Sequence, residues 1–324
     1  MGNSRQLILK TSVAVIVPIL ILGTMISKAY AKIDLLTASF ESTWIDFEAG
    51  GVKLSRYYSS RSLHDGLFGF GWCSSLESKL EFTVPPAEGN NLFIKECDQK
   101  KEFAYDAASG NWKATDAVIS RETDHYTMTT TRQNLTTRKM YDAANGRLLS
   151  LGNAGGALTL EYDRRGLLQD AATGEGLRLR FKFDEISRKI VRIEISTEDE
   201  SKLKPLKLKL EYGYDSLNLV RALNGWSNTY HYGYDPLHNL TSITFPDRTS
   251  EEILYDTDRD QVLLFKGRNG CRENYSYSGA PQRMIAEAAK NCDGTITDRI
   301  KLEVDLTRIT FTRNGVKTSQ EIAR

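Results

Sequence analysis

Tyr162-Asp163-Arg164-Arg165-Gly166-Leu167-Leu168, then Thr173-Gly174-Glu175-Gly176, then Leu177-Arg178-Leu179-Arg180-Phe181-Lys182-Phe183-Asp184, set out the plan of the chain. An Asp that follows an aromatic residue can hydrogen-bond the backbone two residues on, and Gly166 supplies the positive φ that closes a tight turn. Leu177, Leu179, Phe181 and Phe183 interleave with Arg178, Arg180 and Lys182. Period two with one apolar face is the pattern of a half-buried antiparallel strand. The aromatic-Asp pair that opens the stretch also ends it, 21 residues later.

The pair recurs as Tyr141-Asp142, Tyr162-Asp163, Phe183-Asp184, Tyr214-Asp215, Tyr234-Asp235 and Tyr255-Asp256, at intervals of 21, 21, 31, 20 and 21 residues. A further pair, Tyr105-Asp106, lies 36 residues upstream of the first. A fixed period in this range marks a repeat architecture, in which one unit cannot bury its apolar face alone. Positions equivalent to Gly166 hold Ser187, Asn218, His238 and Arg259, where the turn is expected to close. A second turn falls near the middle of each unit, at Thr173–Gly176, Asn224-Gly225, Pro246-Asp247, Asn269-Gly270 and Asp293-Gly294. Asn-Gly and Asp-Gly between alternating runs are strong hairpin signals. Each unit therefore reads as two strands of an antiparallel meander. The longer interval is accounted for by a charged insertion, Thr197 to Lys202, at a hairpin tip. The segment Pro281 to Lys290 has a helix-like composition, but the repeat phase makes it a strand. Asn314-Gly315 should turn the last hairpin and leave an open edge strand that a partner could extend.

Tyr-Asp, a turn residue near the fourth position and a leucine-rich strand at this period resemble the YD repeat of Rhs proteins. A second block agrees: Gly51 through Ser62, including Tyr57, Ser60 and Arg61, then Gly66, Phe68, Gly69, Gly71 and Trp72, resembles the segment that opens Rhs shells. The resemblance implies an all-β chain, a curved or spiral sheet forming part of a shell. In that family the repeats coil around a C-terminal toxin or effector, and relatives occur in insecticidal toxin complexes and in teneurins. This sequence is far shorter than a closed cocoon requires. It lacks the Asp-Pro and Gly-rich self-cleavage motif, since Asp235-Pro236 sits inside an ordinary repeat, and it ends at Gln320–Arg324 without a following domain. The toxin-carrying role is therefore not expected to transfer whole.

The first residues read as a secretory signal, residues 1–31. Arg5 and Lys10 precede an apolar run from Thr11 to Ile26, and Ala29-Tyr30-Ala31 fits small-residue cleavage. Sixteen residues broken by Pro18 are short for a span, which needs about 20. The layout expected is a β module over 32–104 and a repeat array over 105–324, secreted, periplasmic or at the cell surface, in one continuous sheet with a front cap. Removing the signal takes three basic residues and no acid from a chain of 43 Lys and Arg against 42 Asp and Glu. That balance gives no electrostatic reason to expect nucleic acid. The local run Arg178, Arg180, Lys182, Arg188, Lys189 and Arg192 reads as a solvated strand face. Four cysteines in an exported chain permit disulfides. Cys271 and Cys292 fall one repeat apart at mid-repeat turns that should stack, and Cys73 and Cys97 are the remaining pair.

No catalytic constellation emerges. His64, His125, His231 and His238 form no helical metal pair, and there is no nucleophile elbow or phosphate loop. Asp256, Asp258 and Asp260 open like a calcium loop, but Gln261 and Gly267 stand where Gly and a bidentate acid belong. No enzyme, metal or cofactor is expected. The function expected is an exported structural or interaction protein that binds a partner protein, a shell half or an effector. The alternative is a carbohydrate-binding surface using Trp226 and the ladder Tyr230, Tyr232 and Tyr234.

Overall fold

The computed structural model describes residues 29–49, 51–82, 89–132, 135–153, 155–197, 207–280 and 283–322. Most of the expected signal and most of the charged insertion lie outside the described residues. Cleavage after Ala31 would fall within the first strand, Ala29–Asp34.

All regular structure among the described residues is β. Four strands, Ala29–Asp34, Ser39–Ala49, Val52–Ser59 and Trp72–Ser74, form an inner antiparallel sheet in chain order. Period-two alternation buries Phe40, Ser42 and Trp44 on one strand, and Val52, Leu54, Arg56 and Tyr58 on the next. The register shifts between Ile45 and Phe47, so Asp46 is the extra residue of a bulge and both Asp46 and Phe47 are buried.

The second sheet holds 23 strands in chain order, from Ser78–Glu81 to Val316–Glu321. Its first eight strands, ending with Leu148–Asn153, curl until the sheet meets itself. There Leu80 N donates to Gly146 O at 2.8 Å and Lys79 bridges Arg147. The strands from Gly156–Tyr162 to Gln261–Lys266 wrap the inner sheet. Trp44 meets Tyr230, Tyr232 and Phe245, Phe40 stacks on Phe265, and Val262 N donates to Ala38 O. One continuous core joins both sheets, and each fully buried Leu or Phe in it contributes about 1.5–3 kcal/mol.

The fold departs from the expected layout in one respect. The module anticipated over 32–104 divides: residues 29–74 build the inner sheet, while 78–106 open the long one. A four-stranded sheet with bulky apolar side chains needs a cover, and the repeats provide it. Arg283–Cys292 is a strand, because it pairs along its whole length with Arg272–Ala280 and Thr295–Asp305. Cys73 is bonded to Cys97, tying the inner sheet to the long one, and Cys271 is bonded to Cys292 with Cα atoms 4.5 Å apart.

Candidate functional site

Each aromatic-Asp pair in 141–256 follows a bulge. The strand register shifts immediately before Tyr141, Tyr162, Phe183, Tyr214, Tyr234 and Tyr255. A bulge leaves the ladder locally unpaired. The carbonyl of the residue opposite one pair then accepts the hydroxyl of the next: Leu148 from Tyr162 at 2.7 Å, Ile190 from Tyr214 at 2.7 Å, Leu219 from Tyr234 at 2.8 Å and Leu240 from Tyr255 at 3.0 Å. Tyr141 meets Ser78 Oγ instead, and Phe183 has no hydroxyl to give. Burial pushes these phenols upward, Tyr162 to about 12, so they remain donors.

The aspartates turn the chain. Asp142, Asp184 and Asp256 each accept from the two amides at positions two and three beyond, and Asp163 and Asp235 from those at two and four beyond. The expected closing residues hold only in part. Positive φ falls on Gly146, Gly166, Arg188, Ser216, His238 and Asp260, not on Ser187, Asn218 or Arg259. Turn length is the reason. After Asp142, Asp184 and Asp256 the closing bond spans four residues; after Asp163 and Asp235 it spans three; Asp215 pairs directly with Asn218 across a two-residue turn.

The opening motif lies across the rim formed by these turns. Gly66 and Gly69 pair in a two-residue hairpin, Ile190 N donates to Leu67 O and Phe70 N to Leu217 O. Gly69 has φ +96, and a Cβ there would stand 2.6 Å from Leu217 O, so no larger residue lets the hairpin approach. Gly71 N donates to His64 O. Phe68 is wholly buried against Tyr212, and Trp72 Nε1 donates to the Tyr234 hydroxyl at 2.9 Å. Tyr57 sits opposite Thr43 and Cys73 in the inner sheet. Ser60 exchanges bonds with Phe40, while Arg61 reaches Thr37 O, Arg259 O and Asp260. The motif therefore docks the inner sheet onto the repeats.

Beneath it lies a buried ion pair that the sequence did not announce. Arg56 Nε and Nη2 donate to Asp46 at 2.5 and 2.9 Å. Tyr212 donates to Asp46 at 2.8 Å, and the guanidinium lies 4.7 Å from the Trp72 ring and 5.3 Å from Tyr212. Burial opposes the charge, but Asp46 holds the Arg56 pKa well above its ordinary value. The only signal was Arg56 between Leu54 and Tyr58, on the buried parity of its strand.

Other anticipated groups are taken up by structure. Arg178 and Arg180 share the buried Asp170, Lys189 is buried and meets Asp65 at 2.9 Å, and Arg192 meets Glu194 and Glu211. The face expected to be solvated is thus largely ion-paired. Tyr232 is buried and Tyr230 packs on Trp44 and Phe245, which leaves Trp226, 37% exposed at its turn, as the ring of that group most open to solvent. Asp256 and Asp260 are engaged within their turn and with Arg61 and Asn239. His64, Glu77 and Cys97 cluster under the opening motif.

Glu251 stands opposite Ile243 in the ladder and so on the core face. Burial raises its carboxyl from 4.5 to about 7, with Arg268 offsetting only part. The folded state then holds a proton that the unfolded chain releases, so stability at this site falls as pH rises from about 4.5 to about 7. Glu251→Gln is expected to match the wild type near pH 5 and to exceed it near pH 8 by about 1–2 kcal/mol in urea denaturation.

At the far end of the sheet the cover stops. Tyr277, Ala286, Leu302, Phe311 and Thr318 lie opposite one another across five strands, with Met284, Val304 and Ile309 on the same face. All but Ala286 of these are partly or fully exposed, and every residue of Val316–Glu321 is exposed. Among the described residues Val316–Glu321 pairs only with Arg308–Arg313, which leaves its outer edge without a partner strand.

Residues 32–101 match a family described as a domain of unknown function, DUF6531. No curated protein matches the chain. Over 84% of its length it is similar to TcdB2-TccC3-TEV, at 11% identity and a TM-score of 0.23. It covers 20% of that chain, about a fifth of its length. It is also similar to a porin-like protein from Bacteroides vulgatus ATCC 8482, at 10% identity and a TM-score of 0.17, covering 72% of this chain and 96% of that one.

Proposed function

We propose that this is an exported, non-catalytic structural protein, part of an Rhs-like β shell, that takes a partner protein at the uncovered end of its long sheet. The observation that carries the reading is the combination at 272–321 of a half-exposed apolar face and, among the described residues, an edge strand paired on one side only. An edge strand offers a row of backbone donors and acceptors, and side-chain pockets beside it supply selectivity. A separately encoded shell half or an effector fits such an edge, and no cofactor is required. A glycan-binding reading would rest on Trp226, because the neighbouring tyrosines are occupied by packing.

A photo-crosslinking residue at Thr318 should capture a discrete protein in cell-envelope extracts, and Phe311→Asp should abolish that capture. Phe311 is only half-buried, so the variant should fold. Capture that persists undiminished in Phe311→Asp, or an absence of any adduct, overturns the reading.

A further inference from the structure

We propose that the junction between the two sheets is a divalent-cation site, suited to zinc, which forms when the Cys73–Cys97 disulfide is reduced. His64 Nε2 lies 2.7 Å from Glu77 Oε2, and the ligand atoms of His64, Glu77 and Cys97 all lie within 4.8 Å of one another. Cys73 is bonded to Cys97, so its sulfur stands beside the same cluster. A second observation points to a ligand. Glu77 Oε1 is buried without a hydrogen-bond partner, on a side chain only 9% exposed, while Oε2 already accepts from Leu67 N and meets His64. An orphan buried acceptor is costly, and a cation would satisfy it.

Two sulfurs, one imidazole nitrogen and one carboxylate oxygen suit a tetrahedral, borderline-soft ion. A dithiol reductant gives two electrons and two protons to the disulfide and becomes a disulfide itself, leaving Cys73 and Cys97 as thiols. Zinc then displaces both thiol protons into solvent, and no electron moves in that step. His64 ligates through Nε2 as neutral imidazole, so the proton that Nε2 shares with Glu77 Oε2 leaves it and the ring proton sits on Nδ1, while Glu77 supplies Oε1 and Oε2 keeps its bond from Leu67. Nitrogen and oxygen ligands about 2.0 Å from a tetrahedral ion stand about 3.3 Å apart, and two sulfurs about 2.3 Å from it stand about 3.8 Å apart. Reduction must therefore first let the Cys73 and Cys97 sulfurs part well beyond bonding distance before the ion can enter between them and the His64–Glu77 pair.

The disulfide and the ion are alternative ties between the same parts. Cys73 belongs to the inner sheet, and Cys97 to the turn between Leu92–Glu96 and Gln99–Asp106 of the long sheet. A thiolate ligates where a disulfide sulfur does not, so each tie excludes the other. A reducing compartment selects the ion and an oxidising one the disulfide.

The test titrates Co2+ into the full chain, oxidised and phosphine-reduced, without oxygen. Thiolate-to-cobalt charge transfer and tetrahedral d–d absorption are followed, with zinc as displacing ion. One equivalent should bind the reduced chain and none the oxidised chain. His64→Ala and Glu77→Gln should each weaken binding by at least about tenfold, while the variant with Cys271→Ser and Cys292→Ser should bind unchanged. Equal binding by the oxidised chain, or a signal in the reduced chain that is indifferent to both His64→Ala and Glu77→Gln, overturns the proposal. The latter result would assign the metal to thiols of a loosened chain.

Discussion

Arg56→Ala is expected to lower the unfolding free energy by about 3–5 kcal/mol, enough to leave little folded protein at moderate temperature. The substitution strands the buried carboxylate of Asp46, which among the described residues keeps only the Tyr212 hydroxyl as a side-chain partner. It also empties the space between Trp72 and Tyr212 that the guanidinium occupies. Charge and volume can be separated. Arg56→Met combined with Asp46→Leu removes both charges while filling the site, so it should recover more than half of the loss. The remainder should reflect the Tyr212 hydroxyl left without its acceptor, and adding Tyr212→Phe should restore most of it. Urea denaturation followed by tryptophan fluorescence reads all three variants. A single Arg56→Ala cost below about 1 kcal/mol would mean that water reaches Asp46 and that the pair is not sealed.

The second large effect is expected at Gly146, where the long sheet closes its first turn. Its φ is +70, and a Cβ there would stand 1.9 Å from Leu80 O and 2.9 Å from Leu80 C. Backbone cannot step aside as a side-chain tip can. Gly146→Ala should therefore break the Leu80–Gly146 bond and the Lys79–Arg147 bridge, at about 3 kcal/mol or more. Gly110→Ala is the internal control, with φ +67 and nothing within 4 Å of the added atom. It should show the left-handed penalty alone, about 1 kcal/mol. Faster hydrogen exchange at the Leu80 amide in Gly146→Ala, but not in Gly110→Ala, would identify the broken closure. Equal costs for the two variants would mean that the closure contributes nothing.

The repeated strands were legible because their signals are local. Alternation along Leu177–Phe183, Asn-Gly and Asp-Gly at the turns, and the period of the aromatic-Asp pairs each act within a few residues, and the meander follows when every turn reverses the chain. The separation of the inner sheet was not legible. Strands such as Ser39–Ala49 and Ser78–Glu81 carry the same period-two pattern, and which sheet a strand joins depends on packing partners far away in the chain, as Phe265 is from Phe40. The pairing of Arg56 with Asp46 was hidden for a related reason. Parity places both on buried faces, but it names no partner for either among so many charged residues. Turn closure was misplaced at Ser187 and Arg259 because Gly166 closes a three-residue span, whereas those turns take four. The cluster of His64, Glu77 and Cys97 arises from three separate loops and has no motif to read.

The tyrosine hydroxyls give the array a direction. A unit's bulge leaves a carbonyl that its own residues do not reach, and the tyrosine that reaches it belongs to the following unit. The structural unit of inheritance is therefore offset from the unit visible in the sequence: it runs from one carbonyl to the next hydroxyl and straddles two aromatic-Asp pairs. Duplication of a segment cut on that frame carries donor and acceptor together, and a new unit can be spliced in without altering its neighbours. A segment cut at the aromatic-Asp pair itself separates them. Phe183 shows that one link can be dispensed with while the surrounding strands hold register, so the array tolerates isolated gaps in this relay and can drift at single positions while its spacing persists.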